Sequence, residues 1–164
     1  MMGVGKSTVG QNLANRTNRV FVDTDRLLVQ RFGRPIPQIF QFYGEAAFRD
    51  HETSILKTLK PEGQVISTGG GIVIRPENWA LMRSLGITIF LSVPLDILTE
   101  RLRQSRKRRP LLQAEDFEER VEQILDARRS LYEQADVHVD LGDAMADPAA
   151  DMVLSALLAK GVQL

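Results

Sequence analysis

The chain has no cysteine among its 164 residues. Disulfides and thiolate metal sites are therefore excluded, and a reducing compartment is permitted. It has no excess charge: Lys+Arg and Asp+Glu both number 21. That balance argues against a general nucleic-acid binder and leaves open only a local basic patch. No apolar run reaches the roughly 18 residues that a membrane-spanning helix needs, and no signal-peptide pattern opens the chain. Repeats and low-complexity segments are absent too. These absences lead to the expectation of a cytoplasmic protein with no membrane partner and no nucleic-acid partner. Its 43% hydrophobic and 26% charged residues are ordinary for a soluble globular chain. The length fits one domain over residues 1–164 with a real core.

What is present is an alternation of short apolar runs and amphipathic stretches. Val20-Phe21-Val22, Gln64–Ser67, Ile87–Leu91 and Val137–Val139 read as buried strands. Helical patterns fall at Ser7–Thr17, Asp25–Arg31, Ile36–Phe42, Glu45–Leu59, Pro76–Ser84, Leu95–Gln104, Phe117–Tyr132 and Pro148–Ala159. Gly33, Gly44, Pro61, Gly86 and Pro94 punctuate them. Strands separated by helices predict an α/β fold on a parallel sheet. In such sheets ligands gather at the carboxyl ends of the strands.

Three segments lie at that edge. Met1-Met2-Gly3-Val4-Gly5-Lys6-Ser7-Thr8 reads as the tail of a phosphate-binding loop, G-x-x-x-x-G-K-[ST]. Its glycines let backbone N–H groups curl around a phosphate, Lys6 adds a point charge, and Ser7 offers a hydroxyl to Mg²⁺. A plain glycine turn is the rival reading, and the helical pattern that follows at once disfavours it. The first glycine of the motif would fall one residue before Met1. The expectation is that the first strand is missing from this chain, Met1 being an internal position preceded by an apolar strand and a glycine. Asp23-Thr24-Asp25 follows a strand and sets two carboxylates where one could hold water on Mg²⁺ and the other face a substrate hydroxyl; the alternative is that Thr24 or Asp25 caps the next helix. Thr68-Gly69-Gly70-Gly71 follows another strand, and three bare glycines allow close approach of a small ligand.

Other residues are less decided. Arg49 flanks an apolar stripe of Phe48, Ile55, Leu56 and Leu59, with Glu52 three residues on and able to brace it; alone it reads as a solvated cation. Arg128 sits at the edge of the helical face made by Phe117, Val121, Ile124, Leu125 and Leu131, and reads more readily as a surface cation. The run from Arg101 to Arg109 fits a phosphate-clamping lid, a nucleic-acid contact or a solvated face, and its lack of interleaved aromatics disfavours single-strand binding. His51, Trp79 and His138 are isolated and read as structural.

Taken in order, G-x-G-K-S-T (Gly3–Thr8), D-T-D (Asp23–Asp25), G-E-x-x-F-R (Gly44–Arg49), T-G-G-G (Thr68–Gly71), R-P-L-L (Arg109–Leu112) and R-x-x-L-Y (Arg128–Tyr132) resemble the shikimate kinases. The resemblance runs from Met1 to about Ala159. It implies a three-layer P-loop kinase fold, with a central parallel sheet and helices on both faces. It also implies a substrate-binding subregion around residues 25–59 and a mobile lid around 105–116. The implied reaction moves the γ-phosphoryl group of ATP to the 3-hydroxyl of shikimate. By the same resemblance Gly3, Val4, Gly5, Lys6, Ser7 and Thr8 bind the nucleotide phosphates, with Arg109 closing from the lid and Arg101 against the adenine. Ser7 and Asp23 hold Mg²⁺. Asp25, Arg49, Gly69, Gly70, Gly71 and Arg128 bind shikimate, and Lys6, Asp25 and Arg109 are catalytic. The partners implied are small molecules, ATP and shikimate, acting on a monomer. Another kinase of this fold, such as a gluconate kinase, and a non-catalytic nucleotide-binding relative are the alternatives.

Overall fold

A computed structural model describes residues 2–61, 63–104 and 117–163. Helix α1 (Lys6–Arg16) leads to β1 (Val20–Asp23), α2 (Thr24–Phe32), α3 (Ile36–Thr58) and β2 (Gln64–Ser67). A 3₁₀ turn (Ile72–Ile74), α4 (Pro76–Leu85), β3 (Ile89–Ser92) and α5 (Leu95–Gln104) follow. Helix α6 (Phe117–Tyr132), β4 (Val137–Asp140) and α7 (Ala146–Ala159) complete the order.

The strands pair in parallel, as the alternation with helices requires. β1 lies on β2 with Phe21 opposite Val65, and β3 lies on β4 with Phe90 opposite His138. Among the described residues these are two separate two-stranded sheets. A cleft of about 450 Å³ runs between β2 and β3, walled by Leu13, Val65, Trp79 and Leu91. Lys6, Gly69, Gly70 and Tyr132 also line it.

Local chemistry explains the element ends. α1 begins after Gly5, whose φ of 98° lies in the left-handed region, and it buries Val9, Leu13 and Ala14, as their spacing predicts. The pair expected as helices Ile36–Phe42 and Glu45–Leu59 run on as one element, with a kink at Gly44 (φ 77°, ψ 171°). β3 starts at Ile89 and not at Ile87. Thr88 is engaged instead with Asp136, which accepts from its backbone N–H at 2.8 Å and its hydroxyl at 2.6 Å.

The core divides unequally. A large cluster joins Val4, Leu13, Leu56, Trp79, Leu91, Leu98, Val121 and Val153 across the sheets and helices. A small separate one, Leu28, Ile39, Phe48 and Ile55, holds α2 against α3. His51 packs edge-on to Phe32 with ring centroids 4.5 Å apart, a structural position as expected.

Candidate active site

The phosphate loop and the first acidic pair meet directly. The Ser7 hydroxyl donates to Asp23 Oδ2 at 2.7 Å. The other carboxylate oxygen, Oδ1, accepts from the backbone N–H groups of Asp25 at 3.0 Å and Arg26 at 3.2 Å. Asp23 is thus the N-cap of α2, and its remaining oxygen faces the loop. The cap falls on Asp23 and not on Thr24 or Asp25, and the same carboxylate reaches the Ser7 hydroxyl. Asp25 lies in the first turn of α2 and not in extended backbone, so its relation to Asp23 is that of a helix start. Val4 is buried at 2% exposure and anchors the loop, while Ser7 and Thr8 remain exposed beside half-buried Lys6.

α3 carries Arg49 inward. Only 7% of Arg49 is exposed. Its Nη1 donates to Glu52 at 2.6 Å and its Nη2 to Glu45 at 2.9 Å. The guanidinium carbon also lies 5.4 Å from the Phe48 ring centre and 5.8 Å from that of Phe40. Among the described residues its buried Nε has no hydrogen-bond partner. Burial works against the charge on Arg49, but Glu52 and Glu45 together outweigh it and raise its pKa further. Burial dominates at Glu52, which is 1% exposed, and the Asp25 carboxylate adds to it; these push its pKa up against the pull of Arg49 and Arg128. A brace three residues away was legible in the sequence. Glu45, four residues before Arg49, was not read as a partner, although i,i+4 spacing could have shown it.

The T-G-G-G loop fits against these groups with no room to spare. A Cβ on Gly69 would stand 2.7 Å from Glu52 Oε1 and 2.8 Å from Asp25 Oδ1, and one on Gly71 would overlap the Arg49 guanidinium. The glycines are needed for close packing by charged side chains. The loop is also held at three further points. Gly69 N–H donates to Thr24 Oγ1 at 3.4 Å, Asn78 Nδ2 to the Ile72 carbonyl at 2.8 Å, and the Tyr132 hydroxyl to the Gly70 carbonyl at 2.6 Å.

α6 brings Arg128 to the same place. It is buried at 9% exposure, and its charge acts on Glu52 and Tyr132. The surface-cation reading of Arg128 therefore fails, because α6 packs its edge onto the 3₁₀ turn that follows the glycines. Arg101 donates to the carbonyls of Ala144 at 3.1 Å and Asp143 at 3.4 Å, bracing the loop that joins β4 to α7. Arg109 and the lid expected around 105–116 lie outside the described residues.

The oxygens of Ser7 and Asp23 suit a hard cation such as Mg²⁺, which is commonly held by one or two protein ligands plus water and substrate phosphates. Among the described residues no cluster of three or more His, Cys, Asp or Glu side chains forms a metal cage, and none is required for that mode of binding. No helix among them is long and apolar enough to cross a membrane.

Comparison with known proteins gives the same reading. The family model described as shikimate kinase matches residues 2–158. The shikimate kinase of Microcystis aeruginosa is 44% identical over 160 residues, spanning 97% of this chain and 82% of that protein. The structure of the shikimate kinase from Acinetobacter baumannii in complex with shikimate superposes with a TM-score of 0.92. Its sequence is 33% identical, and the match covers 99% of this chain and 91% of that one. A gluconokinase from Sinorhizobium meliloti is 18% identical with a TM-score of 0.58, covering 96% of this chain and 87% of its own, and shares the fold alone. With the family model matched over nearly its whole length and the α/β fold carried by close structural relatives, this chain belongs to the shikimate kinase family.

Proposed function

We propose that this chain transfers the γ-phosphoryl group of ATP to the 3-hydroxyl of shikimate, giving shikimate 3-phosphate and ADP. The observation that carries the reading is the cradle of Arg49, Arg128, Asp25 and the glycine loop. Two buried arginines, one of them already fixed by Glu52, suit a carboxylate. An adjacent carboxylate suits hydroxyls. A nucleoside base asks for neither.

The roles follow from chemistry and position. Gly3–Thr8 present the backbone N–H groups and positive end of α1 to the β- and γ-phosphates, with Lys6 as the charge there. Ser7 and Asp23 would hold Mg²⁺, which neutralises phosphate charge when bound. Arg49, Arg128 and the backbone of Gly69, Gly70 and Gly71 hold the acceptor by its carboxylate. Asp25 orients the acceptor hydroxyl and takes its proton as the oxygen–phosphorus bond forms. The bond from the γ-phosphorus to the bridging oxygen breaks, and ADP leaves with that electron pair. Arg101 keeps its loop against the nucleotide, and Arg109 belongs with the phosphates by motif position. The small cluster between α2 and α3 supports reading residues 25–59 as the substrate-binding subregion of a single domain.

The test is a coupled ADP-release assay with shikimate, gluconate and nucleoside monophosphates as acceptors. Turnover confined to shikimate is expected. Turnover with gluconate or a nucleotide in its place, or ATP binding with no acceptor used, would overturn the reading.

A further inference from the structure

Tyr132 is singled out by its surroundings and has no part in the roles above. It closes α6, is 4% exposed, and stacks on Phe90 with ring centres 5.0 Å apart and planes 5° from parallel. Core packing would be satisfied by the ring alone. The hydroxyl does something more specific. It donates at 2.6 Å to the carbonyl of Gly70, in the middle of the glycine loop. Arg128 stands one turn back on the same helix, and its charge acts on that same hydroxyl. Guanidinium has only donors, so the phenol oxygen can accept from Arg128 while its proton goes to Gly70.

We propose that Tyr132 is a positioning residue for the acceptor. Its hydroxyl ties the arginine at one side of the carboxylate cradle to the backbone at the other, and fixes the distance between them. The inference rests on the reading of Arg128 and the glycine loop as the carboxylate site. Several features favour it over a merely structural bond. The loop has independent anchors through Thr24 and Asn78, so it does not need Tyr132 to keep its course. Burial raises the phenol's pKa despite Arg128 and Arg49 nearby, so the group stays protonated and able to donate at working pH. The ring's stack on Phe90 in β3 refers the cradle to the sheet.

Tyr132→Phe keeps the ring and removes only the hydroxyl. A single neutral hydrogen bond lost at a positioned site gives a change of about threefold to tenfold. The expected result is that rise in KM for shikimate, with KM for ATP unchanged and cooperative melting retained. In an Arg128→Ala background the same substitution should have a much smaller effect, because the partner it positions is gone. A lowered melting temperature with unchanged shikimate KM would overturn the proposal, as would equal rises for both substrates or full additivity with Arg128→Ala. Failure of the underlying reading looks different: Arg128→Ala itself would then leave shikimate KM unchanged.

Discussion

The two sides of the site are built in opposite ways. The phosphate side is local: eight consecutive residues, one turn of helix and a single neighbouring carboxylate. Lys6, Ser7 and Thr8 are exposed or half-buried, and the Ser7 hydroxyl is bonded to Asp23 at 2.7 Å. The carboxylate side is assembled from distant pieces. Arg49 from α3, Gly69 and Gly71 after β2, and Arg128 with Tyr132 from α6 are buried, with Gly71 packed on Arg49 and Tyr132 bonded to Gly70. On the proposed reading, the difference follows from what each side would bind. A triphosphate brings several charges and can organise backbone donors around itself. A lone carboxylate brings one charge, so its site gains most from guanidinium groups already held in place.

The comparison is broken most severely at Lys6. Lys6→Met removes the P-loop charge and should lower turnover by at least about a hundredfold to a thousandfold, the scale of losing a key transition-state donor. Melting should be nearly unaltered, since the side chain is only half-buried. Coupled ADP release and circular dichroism read the two effects.

On the other side, Arg49→Ala and Arg128→Ala should each weaken shikimate binding far more than ATP binding. A charge-assisted hydrogen bond is worth about 1.5–3 kcal/mol, so about tenfold or more is expected by calorimetry. Arg49→Ala should also destabilise the fold. It strands Glu52 in the interior without its closest cation, and breaking a buried pair in this way costs about 3–5 kcal/mol.

Asp23→Ala should have a mixed, moderate effect. It removes the N-cap of α2, worth about 1 kcal/mol in a denaturant melt, and with it the Ser7 contact, so that more Mg²⁺ is needed for half-maximal rate.

The smallest effects sharpen the comparison through pH. Glu52 has a raised pKa in the folded chain, so the native state holds this proton more tightly than the unfolded one. Its contribution to stability is full at low pH and declines as pH rises from the ordinary carboxylate value through the raised one. Asp136, lowered by its bonds to Thr88, contributes in the opposite sense: its stabilisation is present above the ordinary value and fades as pH falls through the lowered one. Subtracting the stability–pH curves of Glu52→Gln and Asp136→Asn from wild type should give slopes of opposite sign. Equal signs would contradict the cause assigned to one of them.

How much of this the sequence revealed tracks the same division. The loop before α1 was readable because its motif is contiguous, and the structure starts α1 at Lys6 and brings Ser7 onto Asp23. The four strands were readable from short apolar runs, and the helices to within a residue or two. Arg49 and Arg128 were not distinguishable from surface cations on their own helices. Their burial depends on α3 and α6 meeting a glycine loop far away in the chain, and no local pattern encodes that meeting. Only the order of motifs pointed to them. Tyr132 was visible as a motif letter, but its hydrogen bond across 62 positions to Gly70 was not.

The central claim is that a preformed pair of arginines reads the acceptor's carboxylate. The most direct measurement is kcat/KM for shikimate against its methyl ester, in wild type and in Arg49→Ala. The wild type should lose at least about tenfold on the ester, the scale of one charge-assisted hydrogen bond, while Arg49→Ala, left with Arg128 alone, should discriminate less between the two. An ester used as well as the acid by the wild type, or a preference for the acid that survives intact in Arg49→Ala, would contradict the account.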